Sequence, residues 1–475
     1  MADGNQLDAV EHIVVLMLEN RSFDHMLGNL YADSGNVSPL GHSFEGLGGK
    51  EGNPDSGGNM VTAFDITATT PNNYFMPGAD PGEGYVATNL QLFGSATAPA
   101  PAVATNLGFV TNFATTLTGA DARRPKVPGT VPSDIMGIYT PEMLPVLSAL
   151  ARGFAVCDHW YASAPTETFP NRAFVGAATS QGRMDDAVSK FTCPSIFGHL
   201  GSAGLDWSIY GYDNAPLTRL NFPDTINAAE SHFGEFPDFK AAAADGTLAP
   251  YAFLEPSWGS SGNSQHPNYD VALGEQLIHD VYYALRNSPI WDSSLLIILY
   301  DEHGGCYDHV APPGGATPPD ASPGEFGFDF TRFGVRVPAI LVSPLIESGT
   351  VFRPSGPTPL DHTSILKTVE TRWQLKPLSA RDAAAPDVGD VLTLTQPRKD
   401  DPLSGVVPPT SSGTNPAAGT PSHIQEVHAQ LVSQLPVDTA SDPIPHGTAG
   451  LRTEHDYDDY IRTRTSAWVS RRGAK

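Results

Sequence analysis

Two short stretches join an apolar run to an abrupt cluster of oxygen-bearing side chains. Ile13-Val14-Val15-Leu16-Met17-Leu18 is followed by Glu19-Asn20, and Leu295-Leu296-Ile297-Ile298-Leu299-Tyr300 by Asp301-Glu302. Runs this short and this uniformly apolar read as buried, parallel strands. Open α/β sheets bind ligands at the carboxyl ends of their strands. If the two strands are neighbours, three carboxylates and an amide converge, and carboxylates that close repel one another unless a cation lies among them. The pattern predicts a divalent metal held by Glu19, Asn20, Asp301 and Glu302. Acids after a strand also serve as helix caps or solvated loop residues. That reading suits one pair alone; the repetition, with Gly304-Gly305 and Asp308-His309 beside the second pair, weakens it.

A hydroxyl completes the chemistry. Thr168, in Trp160-Tyr-Ala-Ser-Ala-Pro-Thr-Glu-Thr-Phe-Pro-Asn-Arg172, stands where a loop turns into a small-residue helix, and helix N-termini favour anions. A metal, a hydroxyl and a scatter of histidines point to phosphoryl transfer, with Thr168 as a nucleophile activated by the cation. By spacing alone, Thr168 could equally be only a cap. Other schemes fit less well: the chain has no G-x-S-x-G elbow, no H-E-x-x-H and no G-x-x-x-x-G-K-[ST] loop.

The elements that must position these residues alternate. Strands are expected at 154–157, 206–210, 251–254, 295–300 and 337–343, the last at a start or edge because of Pro338. Helices are expected from Thr140 to Gly153, from Ala173, over 226–244 carrying His232, over 271–287 and from Asp361 to Trp373. This alternation means a mainly parallel α/β core. Residues 33–130, rich in Gly, Pro, Ser and Thr, read as irregular insertions that wall the site. The expected organisation is one domain over 1–399, a Pro/Ser/Thr/Gly linker or strap over 400–421 and a helical tail docked on the core.

The chain has 475 residues, and 40% hydrophobic content makes it globular. A net charge of -25 argues against nucleic acid and against docking on anionic membrane. Cys157, Cys193 and Cys306 are too few for a disulfide framework or a multi-Cys zinc cluster. No stretch reaches membrane-spanning length. The first residues lack a basic and an apolar leader region, so a cytoplasmic location is expected, or a secreted or periplasmic one if a leader was removed.

Several motifs occur in a fixed order: Glu19-Asn-Arg-Ser-Phe-Asp-His25, Thr168-Phe-Pro-Asn-Arg172, Glu255-Pro256, Gln265-His-Pro267, Tyr300-Asp-Glu-His-Gly-Gly305, Tyr307-Asp-His-Val310, Gly334-Val-Arg-Val-Pro338 and His362-Thr-Ser-Ile365. Together they resemble the phosphoesterase family of non-specific phospholipases C and related acid phosphatases. The resemblance implies an alkaline phosphatase-like sandwich, a large mainly parallel sheet with helices on both faces. It implies that Glu19, Asn20, Asp301 and Glu302 bind the metal, that Thr168 forms a phosphothreonine and that His266 is the general acid, with His232 a weaker catalytic assignment. It places Arg172, His303, Asp308, His309 and His362 near phosphate or substrate. Helix N–H groups would help stabilise the equatorial oxygens. His12, His279, His423 and His428 are expected to be surface or structural.

The chain departs from the family pattern at Asp80-Pro81-Gly82-Glu83, where a histidine is usual at the last position. Glu83 could repel a phosphate monoester dianion, reinforce the metal site or bind a choline-like cation; the reinforced metal site ranks first. The all-oxygen set suits Ca²⁺ or Mg²⁺, with Zn²⁺ and Mn²⁺ as alternatives. The expected activity is hydrolysis of phospholipid-type phosphodiesters. The alternatives are a phosphomonoesterase and a non-catalytic binding protein on the same scaffold.

Overall fold

The computed structural model describes residues 6–119, 124–187, 190–411, 415, 417–436 and 447–473. Its main sheet contains β1 (His12–Leu18), β2 (Ala155–Val156), β3 (Trp207–Gly211), β4 (Phe233–Glu235), β5 (Tyr251–Leu254), β6 (Ser294–Tyr300), β7 (Ala339–Val342) and β8 (Thr350–Val351). The spatial order is β8-β2-β7-β6-β1-β5-β3-β4. From β6 to β4 all neighbours run parallel. β1 and β6 pair from His12↔Ser294 to Leu18↔Tyr300, so the two strands end side by side. Every residue of β6 is buried. Successive strand side chains point to opposite faces, so both faces are covered.

The longer helices are α1 (Tyr85–Phe93), α2 (Phe109–Thr118), α3 (Pro145–Gly153), α4 (Thr168–Ala177), α5 (Phe236–Asp245), α6 (Val271–Arg286), α7 (Thr363–Trp373), α8 (His423–Ser433) and α9 (Glu454–Gly473). α3 and α5 both pack on α6, while α4 packs on α7. The α6 stripe of Leu277, Ile278, Val281, Tyr282 and Leu285 enters the main core as its spacing requires.

Of the two placements expected for Pro338, the strand start holds and the edge does not: the strand is interior, antiparallel to both β6 and β2. Pairing starts at Ala339, so the missing proline N–H costs no ladder bond. The helix expected from Thr140 begins at Pro145 instead, because proline is tolerated in the first turn but breaks an interior. The helix expected over 226–244 is split: a turn at Glu230–His232 leads into edge strand β4, and α5 starts beyond it with Pro237 in its first turn.

The 33–130 segment has its own small core, in which Phe109, Val110 and Phe113 of α2 meet Ile135, Ile138 and Tyr307. The described part of the strap lies on the core: Asp401 accepts from the Tyr282 and Tyr283 hydroxyls at 2.8 and 3.0 Å. Residues 412–414 and 416 lie outside the described residues. α8 and α9 share a cluster with Phe169, Ala173 and Ala177 of α4. Through this cluster α8 and α9 cover the helix that begins with Thr168.

Candidate active site

The register of β1 against β6 delivers Glu19-Asn20 beside Asp301-Glu302. Asn20 is the hub. Its backbone is left-handed, with φ 55, and its N–H donates to Asp301 Oδ1 at 2.9 Å. Its side chain faces two ways: Oδ1 accepts from Thr168 Oγ1 at 3.0 Å, and Nδ2 donates to Glu83 Oε2 at 2.8 Å. The paired glycines explain how the second strand end fits. Gly304 has φ +60, and a Cβ there would lie 2.0 Å from Asn20 O; Gly305 has φ +64, and a Cβ would lie 2.5 Å from Gly82 O. Only glycine permits so close a backbone approach at such angles.

Thr168 opens α4 and is 1% exposed. The loop before it is locked by Asn171, whose side chain accepts from Ala164 N–H and donates to Ala164, Thr166 and Glu167 carbonyls. The helix N-terminus is largely committed to the protein itself. Phe169 N–H donates to Asp186 Oδ1 at 2.7 Å, and Pro170 has no N–H. The expected contribution of helix N–H groups to substrate binding narrows accordingly. One turn on, Arg172 Nε donates to Asp301 Oδ2 at 2.9 Å, and Nη2 donates to the Met17 and Leu18 carbonyls. Its plane covers Trp258 at 4.5 Å. Arg172 thus pins the helix to the strand end, and its buried Nη1 is left without a partner.

The carboxylates are crowded and dry. Both oxygens of Glu19 and one of Glu302 are buried without a hydrogen-bond partner. The Ser264 hydroxyl is close enough to ease the Glu19 charge, yet does not meet hydrogen-bond geometry. Burial first, then the Asp301 charge, push Glu19 up to about 8. Burial, followed by Glu83 and Asp301, holds Glu302 well above the usual range. Burial and Asp80 do the same to Glu83. Unpartnered buried oxygens of this kind are costly, and a divalent cation would satisfy them. The unanswered oxygens of Glu19 and Glu302 suit a cation, whereas Glu19, Asp301 and Glu302 do not gather as a three-ligand group within 4.8 Å among the described residues.

The expected histidines separate. His266 comes to the site. Its Nδ1 contacts Pro267 O at 3.2 Å, while Nε2 lies 3.8 Å from Glu83 Oε2 and 4.0 Å from Asp80 Oδ1. It borders a hollow of about 320 Å³ that Asp80, Tyr269, His423 and Glu426 also line. His303 and His362 back the strand-end carboxylates, with His303 Nδ1 lying 3.2 Å from Glu302 Oε2. His303 Nε2 meets Gln91 Oε1 of α1 at 2.7 Å, and burial drops it to about 3. His362 Nε2 donates to Asp301 O at 2.5 Å and its Nδ1 accepts from Trp160 Nε1 at 3.4 Å. His309 sits instead on Asp24, with Nδ1 2.6 Å from Oδ2.

His232 is not brought to the site. It stacks on Trp207 with ring centroids 4.0 Å apart and touches Trp207 O at 2.7 Å. Trp207 begins β3, so this ring lies at the opposite end of the parallel strands. The catalytic assignment of His232 is corrected on that ground. His423, expected to be surface or structural, lies 3.8 Å from Asp186 Oδ2 and lines the hollow. Asp186, pushed up to about 7 chiefly by burial, and Glu167, pushed up to about 8 by the same cause, were missed. The signal available was the placement of Glu167 just before Thr168.

A model of the phosphoesterase family matches residues 10–376. Non-specific phospholipase C6 of Arabidopsis thaliana is 35% identical, covering 97% of this chain and 87% of the relative. Phospholipase C A of Mycobacterium tuberculosis is 28% identical, covering 85% of this chain and 82% of the relative. Among solved structures, a protein in the alkaline phosphatase superfamily from Vibrio parahaemolyticus aligns with TM-score 0.33 and 12% identity, over 52% of this chain and 64% of that one.

Proposed function

The chain belongs to the phosphoesterase family, and we propose that it is a cation-dependent hydrolase of phospholipid-type phosphodiesters working through a phosphothreonine. The observation that carries this reading is Asn20. One side chain ties the nucleophile hydroxyl to the carboxylate-rich strand ends, at 3.0 Å from Thr168 and 2.8 Å from Glu83.

Glu19, Asn20, Asp301 and Glu302 would hold the cation, which supplies Lewis-acid polarisation of the phosphoryl oxygens and favours the Thr168 alkoxide. Thr168 Oγ1 is positioned by Asn20 and by the locked loop before it, and it attacks phosphorus in line. The free Nη1 of Arg172 offers a donor to a phosphoryl oxygen. The proton for the departing alcohol comes from the Asp80–Glu83–His266 group. Its ligand atoms lie within 4.8 Å of one another, and carboxylates so close share a proton. Water then cleaves the phosphothreonine, returning Thr168. A diester is favoured over a monoester because Glu83 adds negative charge where a monoester dianion would carry its second charge.

The test is hydrolysis of a bis-aryl phosphate by wild type and Thr168→Ala, each with chelator and with added divalent ions. The expected outcome is ion-restored activity that falls by at least about 10³-fold in the variant, with a phosphothreonine trapped by rapid quench in wild type alone. Activity indifferent to both treatments would remove this site from consideration.

A further inference from the structure

We propose that Asp80, Glu83 and His266 form a second divalent-cation site, adjoining the one assigned to the strand ends. The inference rests on the phosphoesterase reading only for the identity of that neighbour. Each of the three residues offers one ligand atom, and all lie within 4.8 Å of one another. Metal–ligand bonds of about 2.0–2.4 Å place donor atoms roughly 3–4.5 Å apart. The observed separations of 3.8 and 4.0 Å around His266 Nε2 are too long for hydrogen bonds and right for ligands of a common ion.

The tautomer agrees. His266 Nδ1 is held to Pro267 O, which leaves the lone pair on Nε2 directed at the two carboxylates. A ligating imidazole is oriented in this way by a bond from its other nitrogen. Tyr269, with ring centroid 4.9 Å from His266, fixes the ring. Asp80 Oδ2 is paired with Arg124, and Asp80 Oδ1 is buried with no partner.

A second observation comes from a different element. Glu302, on the end of β6 and fully buried, keeps Oε1 without any partner. Glu83 is the strongest charge acting on it. The two carboxylates, on separate elements, are near enough for one charge to act on the other, and Asn20 bonds Glu83 on one side and Thr168 on the other. The donor set differs from that of the first site. An imidazole beside two carboxylates selects Mn²⁺ or Zn²⁺ over Ca²⁺ or Mg²⁺. With an ion bound here, the departing oxygen would be stabilised by the cation and take its proton from water; without it, the three groups supply that proton.

The experiment counts ions on the full chain. Metal-free protein is loaded with Mn²⁺, desalted and analysed for metal per chain, and its electron paramagnetic resonance spectrum is recorded. The expected result is two Mn²⁺ per wild-type chain with spin–spin broadening, and one uncoupled Mn²⁺ in Glu83→Gln and in His266→Gln. The wild-type spectrum does not depend on any variant folding. One uncoupled Mn²⁺ in wild type, or two retained by both variants, overturns the proposal and leaves the strand-end site standing. A wild-type chain that binds none removes both.

Discussion

Two places in the molecule have the same composition, two carboxylates and a histidine within 4.8 Å, yet they are opposite in kind. In the Asp24–Asp308–His309 group, every carboxylate oxygen is satisfied. Arg336, 0% exposed, donates to Asp24 Oδ1 at 2.9 Å and to Asp308 Oδ1 at 3.0 Å. Asp24 Oδ2 takes the backbone and ring N–H of His309, and Asp308 Oδ2 takes Asp24 N–H. In the Asp80–Glu83–His266 group, the cation is Arg124, 46% exposed and paired with Asp80, while the Glu83 carboxylate leans on an amide. The first group is a finished structural clamp. The second is short of positive charge. Composition and proximity do not make a site; lone pairs that the fold leaves unanswered do.

The largest expected break of this contrast is Arg336→Met. It strands Asp24 and Asp308 as buried, unpaired charges, and losing one partner of such a pair costs about 3–5 kcal/mol. Urea unfolding should show that loss equally with and without divalent ions. An unchanged midpoint would mean that the clamp contributes nothing.

Next in size is the response to cations themselves, which should belong entirely to the other side of the comparison. At a hundred times its Kd, an ion adds about 2.7 kcal/mol, read as a rise in Tm on reversing chelation. In chelator the sign of the pH dependence is fixed. Glu19 and Glu167 are pushed to about 8 and Asp186 to about 7 in the folded state, mainly by burial. The fold then keeps protons that the unfolded chain has released, so stability falls as pH rises from about 4.5 to 8. Saturating cation, which binds ionised Glu19, should remove the Glu19 part of that decline and leave the part due to Glu167 and Asp186. Parallel Tm-against-pH curves with and without chelator would contradict the assignment.

The smallest effect expected is that of His309→Asn. Burial lowers the pKa of His309, but the Asp24 bond and charge outweigh it and leave the pKa raised above 6.5. A raised histidine stabilises fully below the unfolded value and loses that contribution as pH rises through the folded one. The wild-type advantage should be under about 1 kcal/mol after solvent screening. It should be present at pH 5.5 and gone by pH 9 in chemical denaturation.

Much of this was legible in the sequence because it is local. Apolar runs ending in Glu19-Asn20 and Asp301-Glu302 are strands by composition alone, and their side-by-side ends follow from parallel pairing. Thr168 at the start of α4 is a matter of spacing. The rest depends on the return of distant chain. Nothing in Asp80-Pro-Gly-Glu83 shows that its carboxylate meets Asn20, because that contact is made by an insertion with its own core. His309 stands beside a site motif in sequence, yet its partner is Asp24, and His303 reaches Gln91 as well as Glu302. His232 came from the resemblance, in irregular surroundings, and the turn before β4 carries it onto Trp207 instead.

The central position of β1 has a consequence for how the protein is made. Its two sheet partners are Tyr251–Leu254 and Ser294–Tyr300. β1 is therefore made long before either partner, and Glu19 and Asn20 wait unaccompanied until β5 and then β6 exist. Such distant pairing slows folding and exposes apolar strand to aggregation in the interval. Synthesis that pauses between β1 and β6 should yield insoluble chains, whereas a pause after β6 should be tolerated.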